Sequence, residues 1–199
     1  MYSIEKAIWN GDLKEIKKLI TTGENINKQS ELTGQTPIYI ALKKEKHKIV
    51  RYLVENGANL NIIDNNGLTP LMIAVDSQSY DMVEFLLSHG ANVDAFNEYG
   101  ETCLHKVIDQ NSKIAHLLMS YGANPFFKDN DNKLPLDYAT NKGVLSFLER
   151  YSNKFRDYSP ALFFEFVNEY KNIAMEIGNE FMIDINKLKN LFYSKRCFW

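Results

Sequence analysis

No stretch of this chain stays apolar for the roughly 18 consecutive residues that a membrane-crossing helix needs, so no span is expected. Cysteine is nearly missing too. Cys103 and Cys197 are the only two in 199 residues, and a chain of that size builds a core without staples. Two unpaired thiols in a reducing compartment are therefore expected. Neither sign of charge prevails: 23 Lys and Arg against 25 Asp and Glu leave a net of -2. That excludes a general affinity for nucleic acid, which rests on an excess of cations facing phosphates. Glu5, Lys6 and Asp12 fall where a secretory signal needs an unbroken apolar segment, and Cys197 is third from the end instead of fourth, so a prenylation signal is not matched. An intracellular, cytoplasmic protein is expected. Cys-x-x-Cys, His-Glu-x-x-His and Gly-rich phosphate-loop spacings are all absent, so neither a cofactor nor a metal is expected.

What is present is repetition. Lys, Asn and Ile are plentiful, a coding bias of AT-rich genomes such as those of intracellular bacteria and viruses. Gly34, Gly67 and Gly100 recur at intervals of 33, each two residues ahead of Thr36-Pro37-Ile38, Thr69-Pro70-Leu71 or Thr102-Cys103-Leu104. Gly57, Gly90 and Gly122 each open a Gly-Ala-Asn. Threonine suits a helix cap and proline its first turn, where a missing N–H costs nothing. Apolar residues then follow at helical spacing, as in Leu71, Ala74 and Val75, then Met82, Val83, Leu86 and Leu87. The glycine after the second helix suits a left-handed end. Each unit thus reads as two short helices between turns.

A period of 33 with a Thr-Pro-Leu-His-like start resembles the ankyrin repeat. The expected fold is an all-α solenoid of helix-turn-helix repeats over residues 1–151, with copies at about 1–33, 34–66, 67–99 and 100–131 and a partial one at 132–151. The first copy lacks the Thr-Pro start and reads as a cap. One extra residue near Ser30 lengthens the first inter-repeat loop, and the fourth copy is one residue short between Asp109 and Ile114. The last copy has Asn132 where glycine is expected, and only its first helix is standard.

Beyond Tyr151 the repeat ceases, and residues 152–199 read as a C-terminal helical extension. Ser159-Pro160 starts a helix whose Phe163, Phe166, Val167 and Tyr170 share a face, and Asp184 caps another with Ile185, Leu188 and Leu191. This hairpin is expected to cap the stack, because a repeat array cannot leave its stacking face in water.

Candidate chemistry is thin. Cys103 and His105 form the one conceivable nucleophile and base, but both sit in the repeat start motif, and the resemblance implies that this histidine bonds the local turn. Asp64-Asn65-Asn66-Gly67 and Asp129-Asn130-Asp131-Asn132 look faintly like calcium loops yet lack the bidentate Glu at the twelfth place. They read as turns. No enzyme is expected.

The resemblance implies instead that a partner protein is held on the concave face, by turn tips and first helices. Its register assigns Trp9, Leu32, Gln35, Lys43, Lys44, Ile63, Leu68, Asp76, Ser77, Phe96, Tyr99, Glu101, Asp109 and Gln110 to that face. Trp9, Leu32, Ile63, Leu68, Phe96 and Tyr99 would form a broken apolar line, with about half expected to fold back onto the hairpins. Lys43 and Lys44, followed by Asp76 and Asp109, reverse the charge along it. The resemblance also makes Asn61, more than Asn27, a candidate for hydroxylation. The expected function is a monomeric, non-enzymatic protein-binding module, an effector of an intracellular bacterium or virus. The alternative is an adaptor whose terminal helices recruit a second protein such as a ubiquitin-ligase component, although no F-box-like motif stands between Ser159 and Trp199.

Overall fold

The computed structural model describes residues 3–138 apart from 109 and 126, and leaves the side chains of 112 and 136 undescribed. The expected terminal hairpin, and residues 139–151 of the partial copy, lie outside that range. One compact unit takes in the chain up to Pro135. Its helices come in pairs: α1 (Ile4–Asn10) and α2 (Leu13–Thr21), α3 (Pro37–Lys43) and α4 (His47–Glu55), α5 (Pro70–Asp76) and α6 (Tyr80–Ser88), α7 (Cys103–Val107) and α8 (Ser112–Ser120). Among the described residues only a single isolated bridge, between Phe96 and Thr102, has β character.

Local chemistry sets the helix starts. Thr36 Oγ1 accepts the Tyr39 N–H at 3.4 Å and Thr69 Oγ1 the Met72 N–H at 3.3 Å, with Pro37 and Pro70 next in line. Such a cap is worth about 1 kcal/mol. Ser3 does the same for α1, which explains how the first copy begins without Thr-Pro.

Stacking then divides the helices into two kinds. The first helices α1, α3, α5 and α7 lie against one another in order, and each also packs on its own second helix. Enclosed on several sides, α5 buries everything from Pro70 to Val75, and α3 everything from Pro37 to Leu42. The second helices bury one stripe: Ile49, Val50 and Leu53 in α4, and Met82, Val83, Leu86 and Leu87 in α6. Ala41 and Ala74, both fully buried, keep the first helices close.

Between pairs the chain makes a hairpin turn that clasps the next one. Asn65 N–H donates to Thr33 O at 3.1 Å, Glu98 N–H to Asn66 O at 3.3 Å, and Asn130 N–H to Tyr99 O at 3.0 Å. Asn65 Nδ2 and Asn130 Nδ2 reach the adjacent carbonyls of Leu32 and Glu98. Glycine is needed for this approach. A Cβ on Gly67, at φ +73°, would lie 2.9 Å from the Glu98 nitrogen. Within each of the three later turns one side chain holds two amides: Asp64 Oδ1 accepts from Asn66 and Leu68, Asn97 Oδ1 from Tyr99 and Glu101, and Asp129 Oδ1 from Asp131 and Lys133, all at 2.9 or 3.0 Å. The calcium-like loops are thus turns whose carboxylates are engaged by backbone.

A second ladder runs through the Gly-Ala-Asn turns. Asn27, Asn61 and Asp94 each offer a side-chain oxygen to the amide of Asn59, Asn92 and Asn124, at 2.8, 2.9 and 2.8 Å. Asn61 is exposed, and its role in this ladder is the hydrogen-bonded one.

The irregular copies find local solutions. The first turn closes with Gly34 N–H on Ser30 O and Ser30 N–H on Gln35 O, a loop one residue wider than Asp64 to Leu68. In the fourth copy Asn111 N–H bonds Val107 O, four residues back, where Ser79 reaches five back to Ala74. Asn132 takes the left-handed conformation of the missing glycine, at φ 64°. Pro135–Tyr138 is a 3-10 turn and not the standard α-helix expected there.

The hairpin approach predicts unequal costs for two similar changes. Gly67→Ala adds a collision to its left-handed strain, and roughly 2–4 kcal/mol of stability should be lost. Gly90→Ala, with nothing within 4 Å of the added carbon, should lose only about 1 kcal/mol. Urea unfolding of the two variants checks the order.

A candidate protein-binding face

The hairpin turns and first helices carry large side chains that the core does not take up. Leu32 is 89% exposed, Tyr99 63%, Trp9 59%, Phe96 56% and Ile63 51%. Leu68 is half-buried, so of six apolar residues one folds back, fewer than expected. The cause is the turn geometry. Leu32 sits at the tip of the widened first turn, and Ile63 and Phe96 occupy equivalent places just before the side chains that hold the turns together. Trp9 projects from the end of α1.

Several of these groups meet neighbours. The Lys44 ammonium lies 3.5 Å from the centre of the Trp9 ring, a cation–π contact worth about 0.5–1 kcal/mol at an exposed site. Phe96 and Phe127 rings stand 5.6 Å apart at 34°. Phe127 was not legible as a face residue, although it follows Asn124 as Ala95 follows Asn92.

The polar candidates fare differently. Asp76 is engaged by Lys106 of the next repeat, Nζ to Oδ1 2.8 Å and to Oδ2 3.1 Å. Lys43 remains exposed. With Lys44 on Trp9 and Asp76 on Lys106, the Lys-to-Asp reversal is partly spent inside the stack. Ser77 donates its hydroxyl to Ala74 O, and Gln110 receives the Gln78 amide at 3.4 Å. Glu101 is half-buried and accepts Asn97 Nδ2 at 2.9 Å. Gln35 is half-buried near the Tyr39 hydroxyl. Asp109 lies outside the described residues. The signal for Lys106 in the sequence is its place one repeat along from Asp76, an opposite charge 30 residues away.

Family models for ankyrin repeats match residues 4–97, as three copies, and residues 99–130, as one more. The chain belongs to the ankyrin repeat family. Ankyrin repeat domain-containing protein 40 of Mus musculus is 33% identical over 64 residues, 32% of this chain and 18% of that protein. An ankyrin repeat protein of Rickettsia bellii is 35% identical over 66 residues, 31% of this chain and 9% of the relative. Another, of fowlpox virus, is 42% identical over 54 residues, 27% of this chain and 28% of the relative. The chain therefore spans well under half of these relatives. Ankyrin repeats are protein–protein interaction modules, and this chain carries them across the described unit. No helix among the described residues is long and apolar enough to cross a membrane.

The ankyrin start motif disposes of the Cys103–His105 pair. Thr102 N–H donates to His105 Nδ1 at 3.1 Å, which leaves the ring proton on Nε2, 3.3 Å from Lys133 O in the next hairpin. His105 fastens two repeats together and does not activate a nucleophile. Cys103 is fully buried, and desolvation pushes its thiol up from 9.0 to about 12. Tyr39, at the same motif position as His105, is also raised from 10.0 to about 12, by burial first and then by the Asp64 carboxylate beside it. Asp64 Oδ2 makes no hydrogen bond in the described structure.

Both groups hold their protons more tightly when folded. The stability they contribute is whole below their ordinary values of 9.0 and 10.0 and is lost as pH rises toward about 12. The melting temperature should fall over that window, and less steeply in a Tyr39→Phe/Cys103→Ala variant. In a Cys197→Ser background, iodoacetamide at pH 8 should label Cys103 only under unfolding conditions; prompt labelling of the native chain would revive the nucleophile reading.

Proposed function

We propose that the ankyrin repeats of this chain hold one partner protein on the row of hairpin turns and first helices, with the chain acting as a monomer. The single observation that carries this is the exposure of Trp9, Leu32, Ile63, Phe96 and Tyr99 at repeat positions whose side chains the stack does not need. Exposed aromatic and aliphatic groups on an otherwise polar surface are the usual anchors of an interface. They sit on a scaffold whose turns are clasped at every described seam, so binding proceeds with little change of backbone. The polar groups around them, Lys43, Gln35, Ser77, Glu101 and Gln110, form the rim of this interface.

We place this activity in the cytoplasm of a host cell, as that of an effector of an intracellular bacterium or a virus. The coding bias toward Lys, Asn and Ile supports that setting, as does similarity to ankyrin proteins of Rickettsia bellii and fowlpox virus.

Affinity capture from host-cell extract, read by mass spectrometry, tests the face. Trp9→Ala, Phe96→Ala and Tyr99→Ala together should reduce recovery of the specific partner by about tenfold or more. The same variant should unfold within about 1 kcal/mol of the parent, since exposed groups contribute little to folding. Full retention of every partner by the folded variant would defeat the proposal.

A further inference from the structure

Charge is unevenly distributed along the stack. The first 51 residues hold ten Lys or Arg against six acids, whereas residues 52–105 hold eight acids and neither Lys nor Arg. The third repeat and the hairpins on either side of it therefore lie in an acidic zone. Not all of that charge is available. Asp64 is buried and holds backbone amides, and Asp76 is paired with Lys106. Asp81 and Glu84 lie on α6 and Glu55 on α4, both second helices of their pairs, and Asp94 accepts the Asn124 amide. Two carboxylates remain on the hairpin face, Glu98 and Glu101, and they bracket Tyr99 in sequence. Glu98 is exposed at the turn, and among the described residues no Lys or Arg forms an ion pair with either.

The N-terminal flank of this zone is basic, and Lys43 is exposed there at the end of α3. A cationic group brought to the face is attracted at Glu98 and Glu101 and repelled near Lys43. Such an arrangement fixes register by opposing the wrong placements as well as by favouring the right one.

We propose that Ile63, Phe96, Tyr99, Glu98 and Glu101 take a segment of a partner protein in which aliphatic or aromatic side chains stand beside Lys or Arg. The apolar groups pack on Ile63, Phe96 and Tyr99, and the cation reaches Glu98 and Glu101. This rests on the hairpin face being the binding face, and it names the chemistry of what binds there.

A phage-displayed random peptide library selected on the full chain, followed by fluorescence-anisotropy titration of the enriched peptides, tests it. Enriched sequences should combine Lys or Arg with aromatic or aliphatic residues. Glu98→Gln/Glu101→Gln keeps an oxygen for Asn97 and should weaken their binding about tenfold, as should Phe96→Ala. Glu84→Gln, on the second helix, should leave it unchanged. Raising salt from about 0.05 M to about 0.5 M should weaken binding to the parent and barely affect binding to the double Gln variant. A native melting transition in each variant confirms that the fold is kept. Acidic or neutral winners, no enrichment, or indifference to Glu98→Gln/Glu101→Gln would each overturn the proposal. Loss on Phe96→Ala alone would leave the binding face standing and remove its charge preference, while indifference to both changes would remove the face as well. Sedimentation equilibrium adds a further check. A dimer dissolved by the Gln changes would mean that a second copy of the chain is the occupant, and the partner segment would be abandoned.

Discussion

Backbone amides passed from one hairpin turn to the next are the interaction on which the rest depends. Asn65 to Thr33, Glu98 to Asn66 and Asn130 to Tyr99 tie each turn to its predecessor, at 3.0 to 3.3 Å. Those bonds require the backbones to come closer than any side chain allows, so Gly34, Gly67 and Gly100 are required by the neighbouring repeat as much as by their own turn. Once the turns are fixed, the first helices stack in order, their small residues face one another, and the apolar groups at the turn tips have no room inside. Exposure of Ile63 and Phe96 follows from the same geometry that makes the stack.

Much of this architecture is legible in the sequence because each signal is local. Thr36-Pro37 and Thr69-Pro70 mark helix starts with a cap and a compatible first residue, and the period of 33 repeats those marks until chance is excluded. Even departures are readable in part. The extra residue near Ser30 appears as a wider turn, and the missing one before Ile114 as a shorter link into α8. The last copy is less so, because Pro135–Tyr138 keeps the residues of a helix start while forming a 3-10 turn.

The face is less legible, since its occupancy is settled between repeats. Asp76 looks available until Lys106 arrives from 30 residues away, and Lys44 looks like a rim charge until Trp9 lies beneath it. Leu68 shares the turn register of exposed residues but is half-buried, with its amide held by Asp64. Conversely, the reading that about half of the apolar line would fold back underestimates how far the turns project. Side chains whose partners are one period away require the stacked geometry, which no window along the chain contains.

The fourth position of the start motif differs in every copy: Tyr39, Met72 and His105. His105 points its Nε2 at Lys133 O, a polar hold on the following hairpin, and the half-polar Tyr39 stands beside Asp64 of its own following hairpin. Met72 has no group to offer there. That seam is fastened instead at its rim, by Lys106 on Asp76 and by Gln78 with Gln110 and Asn111, all more open to water. The array is thus a chain of unequal joints. Salt reaches the Lys106–Asp76 clasp and leaves the buried holds largely alone, so of the described joints the one between the third and fourth repeats is the most sensitive to ionic strength.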